Sequence, residues 1–261
     1  TRDPRIFWYK PGNNWVMVLN ERDGHSIYTS KNLLDWTFES HTTGFWECPD
    51  LFELPIDGDK TKTKWVMYGA SNTYMIGSFD GKKFTPETGK HYYVTGSIYA
   101  AQTFSNMPES DGRRIQLGWG RISHEGMPFN GMMLLPTELK LKTTKDGVRM
   151  FSEPVKEAEA LFSPSNKWEK LTASDANDKL KTYGGSDKLR IKTRIKLSHA
   201  TSAGLSLNGQ RLLDYDMNFN LVNGVFYSPQ DMTSMEISAD IYIDRTSVEV
   251  FIDGGAYSYS M

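Results

Sequence analysis

The 261-residue chain carries 30 Lys and Arg against 32 Asp and Glu, and this formal net charge of −2 gives no electrostatic reason to expect nucleic acid or an anionic membrane as partner. Its single cysteine, Cys48, excludes an intrachain disulfide, and no apolar run approaches the ~18 residues needed to span a bilayer. Aromatics are the outlying class, with 7 Trp, 13 Tyr and 13 Phe; such a composition suits strand packing and equally suits sugar binding, where flat rings stack on furanose or pyranose faces.

In chain order, Asp3–Phe7 reads as a first strand, and after the turn at Pro11-Gly12-Asn13-Asn14 it is followed by Trp15–Leu19 and Ser26–Ser30. Pro49–Leu54 opens a second unit of the same design, continued by Trp65–Gly69 and Met75–Ser78 beyond the turn at Asp57-Gly58-Asp59. Ala101–Phe104 opens a third, continued by Arg114–Trp119 after Asp111-Gly112. A spacing of roughly 45–50 residues is that of a four-stranded propeller blade. Three units do not close a propeller, so earlier blades are expected to be missing, and both ends of the chain read as cut. The single helix expected lies around Glu153–Phe162, within a linker running from Glu153 to Pro164.

Beyond that linker the pattern becomes strict alternation. Leu189, Ile191, Thr193, Ile195 and Leu197 interleave with Lys188, Arg190, Lys192, Arg194 and Lys196, the mark of a strand solvated on one face. Ile237, Ala239, Ile241 and Ile243 repeat the pattern, as do Val248, Val250 and Ile252. The predicted fold class is therefore all-β, a partial β-propeller over residues 1–155 followed by a β-sandwich over residues 156–261, with the sandwich's C-terminus incomplete.

A propeller brings the starts of its first strands to one mouth. Those starts carry Arg2-Asp3-Pro4, Glu47-Cys48-Pro49-Asp50 and Tyr99-Ala100-Ala101-Gln102, which puts Asp3 and Glu47 in near-equivalent places on adjacent blades. Two carboxylates facing one funnel are the minimum set for glycosidic bond cleavage, one of them donating a proton; the plain alternative is a pair of ordinary loop acids. The five histidines show no metal-ligand spacing, and neither a Gly-rich phosphate loop nor a nucleophile-elbow motif is present.

Arg2-Asp3-Pro4 and Trp46-Glu47-Cys48-Pro49-Asp50 resemble two signature motifs of glycoside hydrolase family 32, the invertases, inulinases and levanases, and the 44 residues from Asp3 to Glu47 suit that family. Tyr99–Phe104, Arg113–Trp119, Met127–Gly131, Leu135–Leu139 and Asp244–Phe251 resemble further family segments in the right order. The resemblance implies a five-bladed propeller, a C-terminal sandwich, no metal or organic cofactor, and retaining hydrolysis of β-fructosides such as sucrose, inulin or levan. It implies Glu47 as general acid/base, with a pKa raised by burial or a neighbouring carboxylate. Asp3 would be the transition-state stabiliser and Arg2 a grip on fructose hydroxyls. Trp119 and Tyr99 would line the sugar pocket, and Cys48 would shape the surroundings of Glu47 without acting as a nucleophile. The partner expected is a fructose-containing carbohydrate, in a secreted or periplasmic setting.

Two departures stand against this. The family's nucleophile belongs to an Asn-Asp-Pro-Asn-type motif two blades before Arg-Asp-Pro, and no such motif occurs here, so the chain by itself is expected to be inactive. Gly96-Ser97-Ile98 stands where relatives often carry an acidic sugar contact. The alternatives to a fructosidase are a non-catalytic fructan-binding module and a related five-bladed glycosidase acting on arabinosides, the latter disfavoured by Glu47-Cys48 and the sandwich signature.

Overall fold

The computed structural model describes residues 1–163, 166–227 and 235–261. Its first blade is an antiparallel meander of β1 (Arg2–Tyr9), β2 (Asn14–Glu21), β3 (Gly24–Ser30) and β4 (Thr37–Thr43). The second runs through β5 (Asp50–Ile56), β6 (Asp59–Tyr68), β7 (Thr73–Phe79) and β8 (Phe84–Pro86), with β9 (His91–Tyr92) added beside β7. After β10 (Val94–Gly96), the third comprises β11 (Ile98–Thr103), β12 (Ile115–Gly120), β13 (Met132–Met133), β14 (Thr137–Thr144) and β15 (Gly147–Pro154). A single parallel bridge, Leu141 to Ile56, fuses the second and third blades into one curled sheet. The three repeat units read from the sequence are these three blades.

Side-chain alternation explains how the blades stack. Leu51 on β5 turns toward the first blade and packs with Val16, Val18, Ile27, Met67, Phe79 and Phe84. Its neighbours Phe52 and Leu54 turn the other way, into a cluster with Val66, Tyr74, Tyr93, Leu139, Leu141 and Met150. The opposite face of the first blade lacks such cover among the described residues. Ile6, Met17, Tyr28 and Phe38 lie in cross-strand register there, and Ile6, Trp8 and Phe38 are 38%, 41% and 49% exposed.

The segment after β15 departs from expectation. Glu153 and Pro154 complete the strand, Glu153 accepting from Lys140 at 2.8 Å and also bonding Lys142 across the hairpin, so that only Lys156–Leu161 form a helix, of the 3₁₀ type. This stretch is no loose linker: Val155 and Ala158 pack with Ile115, Tyr242 and Phe251. Pro164, its expected end, lies outside the described residues. A helix the sequence reading missed, α1 (Ala173–Lys181), begins with a capping box in which Thr172 and Asp175 bond reciprocally. It buries no residue, so it offers no apolar periodicity to detect.

The alternating segments form β16 (Leu189–Lys196), β21 (Glu236–Ile243) and β22 (Val248–Ile252), which share one sheet with β23 (Tyr257–Ser260). A second sheet of β17 (Ser202–Leu207), β18 (Gln210–Asp216), β19 (Leu221–Val222) and β20 (Val225–Phe226) packs against it around Leu212, Leu213, Val222, Ile241, Val250 and Ile252. Strand β10 joins the edge of the first sheet in parallel with β23, tying the sandwich to the propeller. Gly96 is required at that join: its φ is +83°, and a Cβ there would lie 2.1 Å from the Ser260 carbonyl oxygen. This accounts for the first of the three residues that depart from the family pattern.

Candidate active site

Each blade enters its innermost strand through a residue in the left-handed region: Asp3 (φ 59°), Cys48 (φ 40°) and Ala100 (φ 48°). At Asp3 and Ala100 this inserts one extra residue into the ladder, whereas Cys48 lies just before β5 begins. Arg2 opposes Asn20 while Arg5 opposes Val18, and Tyr99 opposes Trp119 while Gln102 opposes Leu117. In the second blade Ala70 N–H donates to the Trp46 and Glu47 carbonyls at 2.9 and 2.8 Å, and Asp50 pairs with Tyr68. Glu47 is itself left-handed, with φ 46°. Non-glycine residues held this way cost on the order of 1 kcal/mol each and cluster at sites where the surrounding structure over-determines them.

The residues immediately before these left-handed positions are Arg2, Glu47 and Tyr99, and the fold brings their side chains into one row. Arg2 Nη2 donates to Glu47 Oε1, and the Tyr99 hydroxyl donates to Glu47 Oε2, so both carboxylate oxygens are held, one from each flanking blade. Asp3 lies beside the row, its Oδ2 4.0 Å from Arg2 Nε and accepting the Cys48 N–H at 3.1 Å. The sequence reading paired Asp3 with Glu47; the left-handed positions move that equivalence by one residue, making Arg2 the counterpart of Glu47 and Cys48 the counterpart of Asp3. The Glu47 N–H donates to Asn20 Oδ1 at 2.9 Å, a partner the sequence did not announce.

Trp119 stands directly across from Tyr99 in the β11–β12 ladder and is 44% exposed. The Arg121 guanidinium stacks on the Tyr99 ring at 4.3 Å. All five residues read from the sequence as site candidates thus fall at one mouth, four of them linked through Arg2 and Glu47 contacts and the fifth adjacent through the ladder. Cys48 is half-buried, and burial followed by the Asp3 charge pushes its thiol up to about 11, so it is protonated at neutral pH and unsuited to nucleophilic attack. Among the described residues no cluster of three or more His, Cys, Asp or Glu could hold a metal ion.

Beneath the row lies a polar layer, buried at Asp50 and Thr103 and half-buried at Arg5 and Gln102, that the sequence reading did not single out. Asp50, fully buried, forms an ion pair with Arg5 (Nε to Oδ1, 3.1 Å) and accepts from the Thr103 N–H and hydroxyl at 2.9 and 2.8 Å and from the Tyr68 hydroxyl at 3.2 Å. Gln102 Nε2 reaches the Cys48 and Pro49 carbonyl oxygens at 3.1 and 3.2 Å. Arg5 Nη2 closes the layer on the Thr103 hydroxyl at 3.0 Å.

Comparison with known proteins agrees with these motifs. The family described as "Glycosyl hydrolases family 32 N-terminal domain" matches residues 1–154. A levanase of Bacillus subtilis (strain 168) is 33% identical over 303 aligned positions, covering 97% of this chain and 45% of the levanase. An extracellular exo-inulinase of Aspergillus niger is 28% identical over 309 positions, covering 96% of this chain and 57% of the inulinase. The chain thus spans about half the length of these curated relatives. Among solved structures, exo-inulinase from Aspergillus awamori superposes with a TM-score of 0.76 at 22% identity, over 99% of this chain and 61% of that one. A fructofuranosidase from Schwanniomyces occidentalis, in complex with fructosylnystose, gives a TM-score of 0.71 at 20% identity, over 99% of this chain and 63% of that one. These two likenesses establish the propeller-and-sandwich fold.

Proposed function

Because the chain belongs to glycoside hydrolase family 32, we propose that it contributes the acid/base side of a site that hydrolyses β-fructosides, with sucrose, inulin or levan as the substrate class. The observation that carries this reading is the row Arg2–Glu47–Tyr99 with Asp3 beside it, at a mouth flanked by the exposed Trp119. In this reading Glu47 gives its proton to the glycosidic oxygen as the bond from that oxygen to the fructosyl carbon breaks. It then takes a proton from the water that attacks the same carbon. Asp3 and Arg2 grip fructose hydroxyls while the ring gains oxocarbenium character, and Tyr99 and Trp119 border the sugar. Retention requires a second carboxylate roughly 5–5.5 Å from the first, as nucleophile. We assign that role to no residue of the sequence, and the 261 residues alone are expected to release no fructose. The propeller part of the site is assigned to residues 1–155 and the sandwich to 156–261.

Relatives named as extracellular enzymes support a secreted setting for the natural protein. The exposed Trp46 and Trp119 favour a second reading in which the mouth holds fructan without cleaving it. Intact mass of the natively expressed protein, followed by reducing-sugar assays on sucrose, inulin and levan, separates the two. Activity that Glu47→Gln abolishes supports hydrolysis. A native product inert on all three substrates, yet binding fructan, supports the binding module instead.

A further inference from the structure

We propose that the layer formed by the buried Asp50 and Thr103 with the half-buried Arg5 and Gln102 positions the Glu47 carboxylate, with Gln102 and Asp50 as its principal positioning residues; this rests on the reading of Glu47 as the acid/base. The layer repeats the design of the row above it. Arg5, Asp50 and Gln102 each follow a row residue by three, with a left-handed residue between, and in the first and third blades a one-residue bulge separates the two members of the pair.

The contacts cross every blade boundary at the mouth. Arg5 of the first blade meets Asp50 of the second at 3.1 Å, and Asp50 meets Thr103 of the third at 2.8 Å. Gln102 grips the two carbonyls that follow Glu47 in the chain, so it fixes the backbone from which the Glu47 side chain springs. Glu47 itself is held by side chains from the first and third blades, which makes its position depend on the spacing of those blades. Asp50 has no exposure and Thr103 is 3% exposed, so neither meets substrate, and their influence on catalysis runs through Glu47. Misplacing a catalytic group by about 1 Å costs on the order of 100-fold in rate.

Gln102→Met keeps the side chain's length and removes both N–H donors; Thr103→Val keeps its shape and removes the hydroxyl, whereas Thr103→Ser keeps the hydroxyl. In the natural full-length protein, fructose release by Gln102→Met and Thr103→Val should fall roughly 10- to 100-fold in kcat with KM changed by less than about 2-fold, while Thr103→Ser stays near the parent. The crystal structure of Gln102→Met should show the Glu47 carboxylate no longer spanning Arg2 and Tyr99. Parental kcat in both weakened variants, or a Glu47 still held by both partners in that crystal structure, overturns the inference. If the unsubstituted protein releases no fructose, the functional reading fails instead, and the same crystal structure still decides whether the layer positions Glu47.

Discussion

Glu249 offers a test of the join between propeller and sandwich that needs no substrate. It sits on β22, 7% exposed, and faces a cavity lined by Thr95, Gln116, Ser152, Ser258 and Ser260 from both parts of the chain. Its carboxyl oxygens accept the Leu135 N–H at 2.9 and 3.2 Å, but burial outweighs that bond and pushes the group from its ordinary 4.5 up to about 7. A raised carboxyl means that the folded protein binds the proton more tightly than the unfolded one. Stability from this group is then fully kept below about pH 4.5, declines as pH rises, and reaches its lowest level above about pH 7. At roughly 1.4 kcal/mol per tenfold change in proton affinity, the loss amounts to about 3 kcal/mol. Glu249→Gln keeps an acceptor for Leu135 and removes the ionisation. Urea unfolding of parent and variant at about pH 4 and about pH 8 should therefore show the variant gaining about 3 kcal/mol on the parent between the two conditions. A difference between the two proteins that does not change with pH would refute the reasoning, because it would mean that Glu249 titrates alike in the folded and unfolded chain.

Three further outcomes follow from the same geometry. With its thiol pushed up to about 11 from an ordinary 9, Cys48 presents about 100-fold less thiolate at neutral pH than a free cysteine, so alkylation by iodoacetamide should be slow and should accelerate until the pH nears 11; a fast reaction at neutral pH would contradict the assigned environment. Asp50→Ala strands the largely buried Arg5 charge and should cost about 3–5 kcal/mol in urea unfolding, whereas a loss below about 1 kcal/mol would show that water reaches the layer. The uncovered face of the first blade should drive self-association of the 261-residue chain, measurable by sedimentation and reduced by joint Trp8→Ser and Phe38→Ser substitution; a monodisperse monomer at high concentration would count against it.

The blades were legible because their strand units recur about every 45–50 residues, and the sandwich strands because they obey a period of two. Leu189, Ile191 and Ile195 pack on the sandwich core as their alternation with Lys and Arg requires. The short helix α1 was not legible because a polar helix carries no apolar stripe, and its one signal, Thr172 spaced three residues before Asp175, is too brief to stand alone. Gly96 read as a departure from a family pattern, and only the approach of Ser260 reveals why the position takes glycine. Glu249 lay within a segment read as a family signature, yet nothing in the alternation of β22 distinguishes a buried carboxyl from a solvated one.

The layer beneath Glu47 was hidden for a more instructive reason. In a regular strand, residues three apart face opposite ways, so sequence parity places Arg5 away from Arg2, Asp50 away from Glu47 and Gln102 away from Tyr99. One left-handed residue reverses that parity in the first and third blades, and two in a row, Glu47 and Cys48, stand ahead of β5 in the second. Glycine or asparagine would have advertised such a conformation, but the positions hold Asp3, Cys48 and Ala100. Cysteine and alanine carry no sign of positive φ, and the backbone is forced there by its neighbours: the Cys48 N–H is taken by Asp3, and its carbonyl by Gln102. The strain and the contacts that sustain it therefore come from different blades. That is why motifs read one at a time could name the residues at the mouth, while the support that holds Glu47 between Arg2 and Tyr99 emerges only when all three strand starts are assembled.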